Sequence, residues 1–207
     1  MDFLRATLPD VVLDAPVDAL IGRLVLGHQD DPVAFLRRLT GLVRPGGLIA
    51  FQEFDNHALR AVPETPLAGA VLRGITGALR AGGKDRGAGA RLYSLFRQAG
   101  LVPAGVTATT PPIGVVAVIP AGTTPMGGVE DPLVLPLAVH TYRTLCPRVS
   151  ATGLGPDADR ETIGDPATVG DRMRAELDAA GAVLIMPTAV TVWATTPPPR
   201  EAPVNIP

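Results

Sequence analysis

A single cysteine, Cys146, stands among 207 residues, so no disulfide can close within the chain, and no Cys/His cluster at metal-ligand spacing accompanies it. Aromatic residues make up only 4%, and 18 basic against 20 acidic side chains leave a net charge of −2. The basic residues are scattered rather than striped, which argues against a nucleic-acid face and against a polybasic membrane patch. No apolar run reaches the roughly 18 to 20 residues a membrane-spanning helix needs, because Gly, Pro or a charge interrupts each one. The chain opens with no basic stretch leading into an apolar signal core, so a cytoplasmic location is the expectation. What is present is apolar bulk: 46% hydrophobic content is enough to bury a core. One α/β domain is expected over 1–196, with 197–207 as a disordered tail.

The pattern along the chain alternates strand and helix. Residues 17–27, "VDALIGRLVLG", are nearly continuous apolar and fit a strand over 19–26 buried on both faces. After the loop "HQD", Asp31 can cap a helix with Pro32 at its first position, and Phe35, Leu36, Leu39, Leu42 and Val43 fall on one stripe. That helix should end before Pro45 and Gly46, and Leu48 to Phe51 make the next strand of a βαβ unit. Thr65-Pro66 repeats the cap signal ahead of Leu67, Val71, Ile75 and Leu79, and a third helix is expected over 89–99, stopped at Gly100. Residues 102–110 read as a strand and 133–146 as a helix within a cover at about 125–150. The stretch 150–166 reads as loop. Asp165-Pro166 opens a helix bearing Val169, Met173 and Leu177, closed by Gly181. Residues 182–195 give the longest strand, with Pro187 arguing for a bulge or an edge. The two long strands of the second half are expected to pair antiparallel.

The stretch "VDALIGRLVLGHQDDPVAFLRRLTGLVRPGGLIAFQEF", from Val17 to Phe54, resembles class I S-adenosylmethionine-dependent methyltransferases. In that family a strand and its loop lead through a helix and a Pro-Gly-Gly turn into a strand that ends in an acid, here Pro45-Gly46-Gly47 and Glu53. The resemblance implies an incomplete Rossmann-like α/β sheet, parallel with a C-terminal antiparallel pair. It further implies methyl transfer from S-adenosylmethionine to a small-molecule acceptor by in-line displacement, in which positioning dominates. It places Arg23 and Leu24 beside the cofactor, with Thr7, next to Ala6, where the family carries a Gly-Asp pair. It places His28 and Gln29 in the reaction pocket, and Glu53, Phe54, His140 and Tyr142 toward the substrate.

The same resemblance implies an omission. The family's first strand, Gly-rich turn and second acid-tipped strand have no counterpart, so the chain is expected to begin at the third strand and cofactor binding is expected to suffer. In the family's sheet order the absent strands lie beside the strand at 19–26, which becomes an exposed apolar edge open to a second copy or a partner chain. The Gly-rich run "AGGKDRGAGAR" from Ala81 follows a helix rather than a strand, the wrong context for a phosphate or cofactor cradle.

Each candidate also has a plainer reading. His28 is a general base or a loop histidine capping backbone, and Glu53 is a base, an amine-binding acid or a solvated strand-end carboxylate. Asp30 and Asp31 look paired, but capping accounts for Asp31. Tyr142 and Trp193 read as core, and Cys146 as a small buried residue. The competing function is a catalytically silent interaction module acting through a partner. A hydrolase is disfavoured because no Ser sits in a Gly-x-Ser-x-Gly elbow.

Overall fold

The computed structural model describes residues 7–83, 87–110, 112–114, 142 and 157–198. In chain order the elements are β1 (Val17–Arg23), α1 (Pro32–Thr40), β2 (Val43–Asp55), β3 (Arg60–Val62), α2 (Pro66–Ala81), α3 (Ala88–Gln98), β4 (Pro103–Thr109), β5 (Pro112–Gly114), α4 (Asp157–Ile163), α5 (Val169–Ala180), β6 (Val183–Ile185) and β7 (Thr188–Thr195). They divide between two compact units made of discontinuous segments. The first draws on Met1–Asp55, Gly87–Thr109 and Ala189–Pro207, and the second on Asn56–Arg86 and Thr110–Thr188.

In the first unit the strands lie in the order β1-β2-β7-β4. β1 and β2 run parallel, with Leu20 opposite Ile49 and Gly22 opposite Phe51, and β4 and β7 run antiparallel. The mixed α/β sheet expected from the sequence is therefore present. Between β1 and β2, α1 starts where its signals place it: Pro32 takes a first-turn position and the Asp31 carboxylate accepts the Ala34 N–H at 2.8 Å. Its stripe of Phe35, Leu36 and Leu39 packs with Ile49, Phe51, Leu92, Phe96 and Val192 in one core. Within it Phe51 and Phe96 meet edge to face at 6.3 Å.

The Arg-Pro-Gly-Gly stretch is built into β2 rather than standing before it. Pairing with β1 jumps from Val17–Val43 to Ala19–Leu48, and the surplus residues are held by the end of β7. Gly46 N–H donates to the Thr196 carbonyl at 3.1 Å, Thr196 N–H to that of Gly47 at 2.9 Å, and the Thr196 hydroxyl to that of Arg44 at 2.6 Å. Gly46 has a φ of 72°, and a Cβ on Gly47 would come within 2.6 to 2.9 Å of Val43 and of the Asp18 and Arg44 carbonyl oxygens. Both positions demand glycine.

In the second unit α2 buries Leu67, Val71 and Ile75 against Met173 and Leu177 of α5, Ile163 of α4 and Tyr142. Three sequence expectations are corrected here, and one sheet had no counterpart among them. The strand expected over 182–195 is two, β6 and β7, in different sheets, parted at Met186-Pro187 where proline cannot donate to a ladder. The loop expected over 150–166 contains α4, whose only large apolar residue is Ile163, too few for a visible stripe. An antiparallel sheet β3-β6-β5 was not legible, since strands of 3 residues carry no alternation to read. Ahead of α5, the Asp165 carboxylate accepts the Ala167 N–H at 2.8 Å in a turn, so that helix opens at Val169 instead of Pro166. The cover at 125–150, apart from Tyr142, and the tail beyond Pro198 lie outside the described residues. No helix among the described residues is long and apolar enough to cross a membrane.

Candidate functional site

The carboxyl ends of the parallel strands β1 and β2 gather most of the residues singled out in the sequence. β1 stops at Arg23 rather than continuing to residue 26, because Leu24 turns into the left-handed region with a φ of 55°. Such a conformation is uncommon for a branched side chain and persists only where its surroundings over-determine it. Two contacts do so here. Leu24 N–H donates to the Gln52 carbonyl at 2.9 Å, and Glu53 Oε1 accepts the N–H groups of both Val25 and Leu26 at 2.7 Å. A one-turn 3-10 helix, Leu26–His28, follows directly. Glu53 is only 3% exposed, so it is not the solvated strand-end acid that the sequence allowed: its charge is used to hold the loop.

Gly89 supports the same corner from below. A Cβ at that position would stand 2.7 to 2.9 Å from the Asp55 nitrogen, the Phe54 carbonyl carbon and the Glu53 carbonyl oxygen, so glycine lets the first turn of α3 press on the end of β2. Within the Gly-rich run from Ala81, Gly89 thus serves helix packing.

His28 is exposed, and its ring makes no hydrogen bond among the described residues. Gln29 folds back on the turn, its amide donating to the Val25 carbonyl at 3.2 Å. Arg23 donates through Nε to Gln52 Oε1 at 3.0 Å, and Gln52 in turn donates to the Thr191 hydroxyl at 3.0 Å. This polar relay across β1, β2 and β7 lies on the sheet face opposite Ile49 and Phe51, since Arg23 pairs with Gln52 one step on from Gly22 with Phe51. Sequence reading missed Gln52; its offset from the Arg23 position across a βαβ unit was the available signal. Phe54 is half-buried near the end of β2, and Thr7 is exposed, its carbonyl accepting the Asp10 N–H at 3.0 Å. Tyr142 belongs to the core of the second unit, with its ring 3.1 Å from where a Cβ on Gly74 would be, which matches its reading as core. Trp193 is half-buried, and its ring fills the space above Gly105. Ala6, His140 and Cys146 lie outside the described residues.

Alongside β1 runs an open cleft of about 490 Å³, lined by Leu8, Val11 and Leu13 and by Leu20, Leu39 and Phe51. Among the described residues that line it, Arg23 is the only charged one. S-adenosylmethionine carries a carboxylate, which the Arg23 guanidinium could meet, but also a sulfonium cation, an ammonium group and ribose hydroxyls, which require acceptors. The other described lining side chains are apolar and Glu53 Oε1 already accepts two N–H groups, so the described residues do not by themselves fit that cofactor. Among them no group of three His, Cys, Asp or Glu could hold a metal ion.

No family model and no curated protein matches the sequence. Among solved structures, the chain is similar to a candidate methyltransferase from Bacillus halodurans C-125, at a TM-score of 0.44 and 11% identity, covering 92% of this chain and 74% of that one. It is similar to a candidate sarcosine/dimethylglycine methyltransferase from Galdieria sulphuraria, at a TM-score of 0.38, 12% identity and coverage of 92% and 56%. It is also similar to phosphoethanolamine N-methyltransferase 2 of Haemonchus contortus, solved with phosphomonomethylethanolamine and S-adenosylhomocysteine, at a TM-score of 0.37, 8% identity and coverage of 87% and 33%. The chain thus spans less than two thirds of the length of the last two. At 8 to 12% identity these likenesses transfer no property of those proteins to this chain.

Proposed function

We propose that this chain is a methyltransferase-like protein of the cytoplasm, directed at a small-molecule acceptor and compromised as an isolated chain. The observation that carries the reading is the loop Leu24–Gln29, fixed over the ends of two parallel strands by the buried Glu53. Ligands of open α/β sheets bind beyond the carboxyl ends of their strands, and a residue held at positive φ there is strain of the kind that functional sites retain. The resemblance of the Pro-Gly-Gly turn and strand-end acid supplies the chemistry, with S-adenosylmethionine as the donor. On this chain Glu53 is a positioning residue for the loop, and Arg23 with Gln52 and Thr191 presents a polar face. His28, exposed at the end of the same turn, is the group placed to take a proton from an acceptor.

A second reading, a silent interaction module, is favoured by one observation, the outer edge of β1, which pairs with no further strand among the described residues. Titration of the folded, isotope-labelled chain with S-adenosylhomocysteine separates the two. Weak saturation in the millimolar range (about 4 kcal/mol) with NMR shifts gathered on residues 23–29 is expected. Affinity tighter than about 10 µM would show the chain to be self-sufficient. Shifts that avoid that loop, or none at all, would overturn the methyltransferase reading and leave the interaction module.

A further inference from the structure

We propose that the sheet face turned away from α1 and α3 binds a planar aromatic carboxylate, its ring stacked on Trp193 and its carboxyl group held by Arg23 and the Thr191 hydroxyl. On β7, Val192 and Ala194 belong to the core shared with α1 and α3, so Thr191 and Trp193 stand on the other face. The Gln52–Thr191 contact and the Gly47–Thr196 bonds share one antiparallel register, which sets Ala50 beside Trp193, while β4 sets Gly105 on its other side. Two of the smallest residues thus flank the indole. A Cβ on Gly105 would lie 2.1 Å from Cζ2 of Trp193 and 2.6 Å from both Cε2 and Cη2, distances too nearly equal for contact with the rim of the ring. The indole therefore lies flat on the strand, and its other face turns away from the sheet. Its N–H has no acceptor among the described residues, although the indole N–H of a buried tryptophan is usually paired.

The polar row beside the ring has a forced direction. A guanidinium only donates, so Gln52 must turn its oxygen to Arg23 and its NH2 to the Thr191 oxygen, as the two 3.0 Å bonds record. The Thr191 proton is left to donate away from the row, polarised by the charge at its head. The Nη groups of Arg23 and the hydroxyl of Thr107, opposite Thr191 on β4, have no partner among the described residues either, and both residues are exposed. The row thus offers donors and one fixed positive charge, and it holds no carboxylate. A cation is repelled there, and a sugar, whose hydroxyls need acceptors as often as donors, is poorly matched. A carboxylate accepts from a guanidinium and a hydroxyl together. Trp193 and Gln52 are diagonal neighbours across β2 and β7, about 7 to 8 Å apart, which suits an acid of two fused rings. Binding is read without a methyl donor, so the site goes beyond the methyltransferase reading and does not depend on it.

Titration of the isotope-labelled full chain with β-naphthoate tests it, read on the one indole N–H signal that a single tryptophan gives. Saturable displacement of that signal is expected, with a Kd between about 10 µM and 1 mM. Cyclohexanecarboxylate keeps the charge without the flat ring, and β-naphthylmethanol keeps the ring without the charge; each should bind at least about tenfold more weakly. Thr191→Val, which keeps the shape and removes the donor, should weaken β-naphthoate about five- to tenfold. An indole signal that β-naphthoate leaves unmoved up to about 5 mM overturns the proposal, as does equal binding of cyclohexanecarboxylate or indifference to Thr191→Val. Should Thr191→Val fail to fold, Arg23→Gln at the exposed end of the row decides: binding that is not weakened refutes the site.

Discussion

Each unit contains a glutamate that accepts two consecutive backbone N–H groups, and the two are used differently. In the first, one oxygen of Glu53 takes both Val25 and Leu26 at the end of a parallel strand pair, fully buried. In the second, the half-buried Glu176 gives one oxygen to Leu67 N–H at 2.8 Å and the other to Ala68 N–H at 3.0 Å, closing the start of α2 from a neighbouring helix. Thr65, the residue placed to cap α2, makes no capping bond, and its hydroxyl is buried without a partner. The same chemistry thus holds a strained loop in one unit and replaces a local cap in the other. Burial is the variable that separates them, since an orphaned N–H costs more where water cannot replace the lost acceptor.

If burial decides, Glu53→Ala should be the most damaging change, at about 2 to 4 kcal/mol, because two charge-assisted bonds vanish and two N–H groups are stranded. Urea unfolding of Glu53→Ala and Glu176→Ala side by side is the measurement, and equal losses would break the distinction. Next, Gly89→Ala should cost about 1 to 3 kcal/mol, since the neighbours its methyl meets are backbone atoms that cannot swing aside. If the Glu53 corner is the rigid one, Gly89→Ala should also perturb the amide signals of residues 24–29. Glu176→Ala should cost about 1 to 2 kcal/mol, the usual worth of a cap, with water available at a half-exposed site.

What the sequence disclosed follows the range of the interaction. α1 and α2 were legible because their start signals and apolar stripes are local: Asp31, Pro32 and Leu36, or Pro66, Val71 and Ile75. The parallel pairing of β1 with β2 was legible because a continuous apolar strand, a helix and a second apolar strand permit few other arrangements. Glu53 was noticed for its place at a strand end, yet its partners are 27 and 28 residues away, so nothing local distinguished a clamp from a reacting acid. Glu176 was overlooked for the same reason, its partners being 108 and 109 residues distant. β3 and β5 were too short to show a period, and α4 is held by an ion pair that sequence spacing does not display.

That ion pair gives the smallest effect and extends the comparison to a more exposed setting. Arg73 of α2 binds Asp159 of α4 in a fork, Nε at 3.1 Å and Nη2 at 2.7 Å, with Glu64 at 3.7 Å. The hydrogen bond to Asp159 raises the guanidinium above its ordinary range; burial opposes it, and the charges of Asp159 and Glu64 add to it. A raised folded value means that the contribution is fully present below the ordinary guanidinium value and lost only as pH climbs beyond it. From Arg73, then, no pH dependence is expected between about pH 6 and 9. The Arg73 side chain is 53% exposed against 13% for Asp159, so solvent screening holds the pair to well under its buried worth. Arg73→Lys keeps the charge and loses the fork, and should cost no more than about 1 kcal/mol, shrinking further in high salt. A loss comparable to that of Glu53→Ala, or one indifferent to salt, would mean that the geometry of the fork rather than its exposure governs its strength, and the ordering by burial would fail at its weakest member.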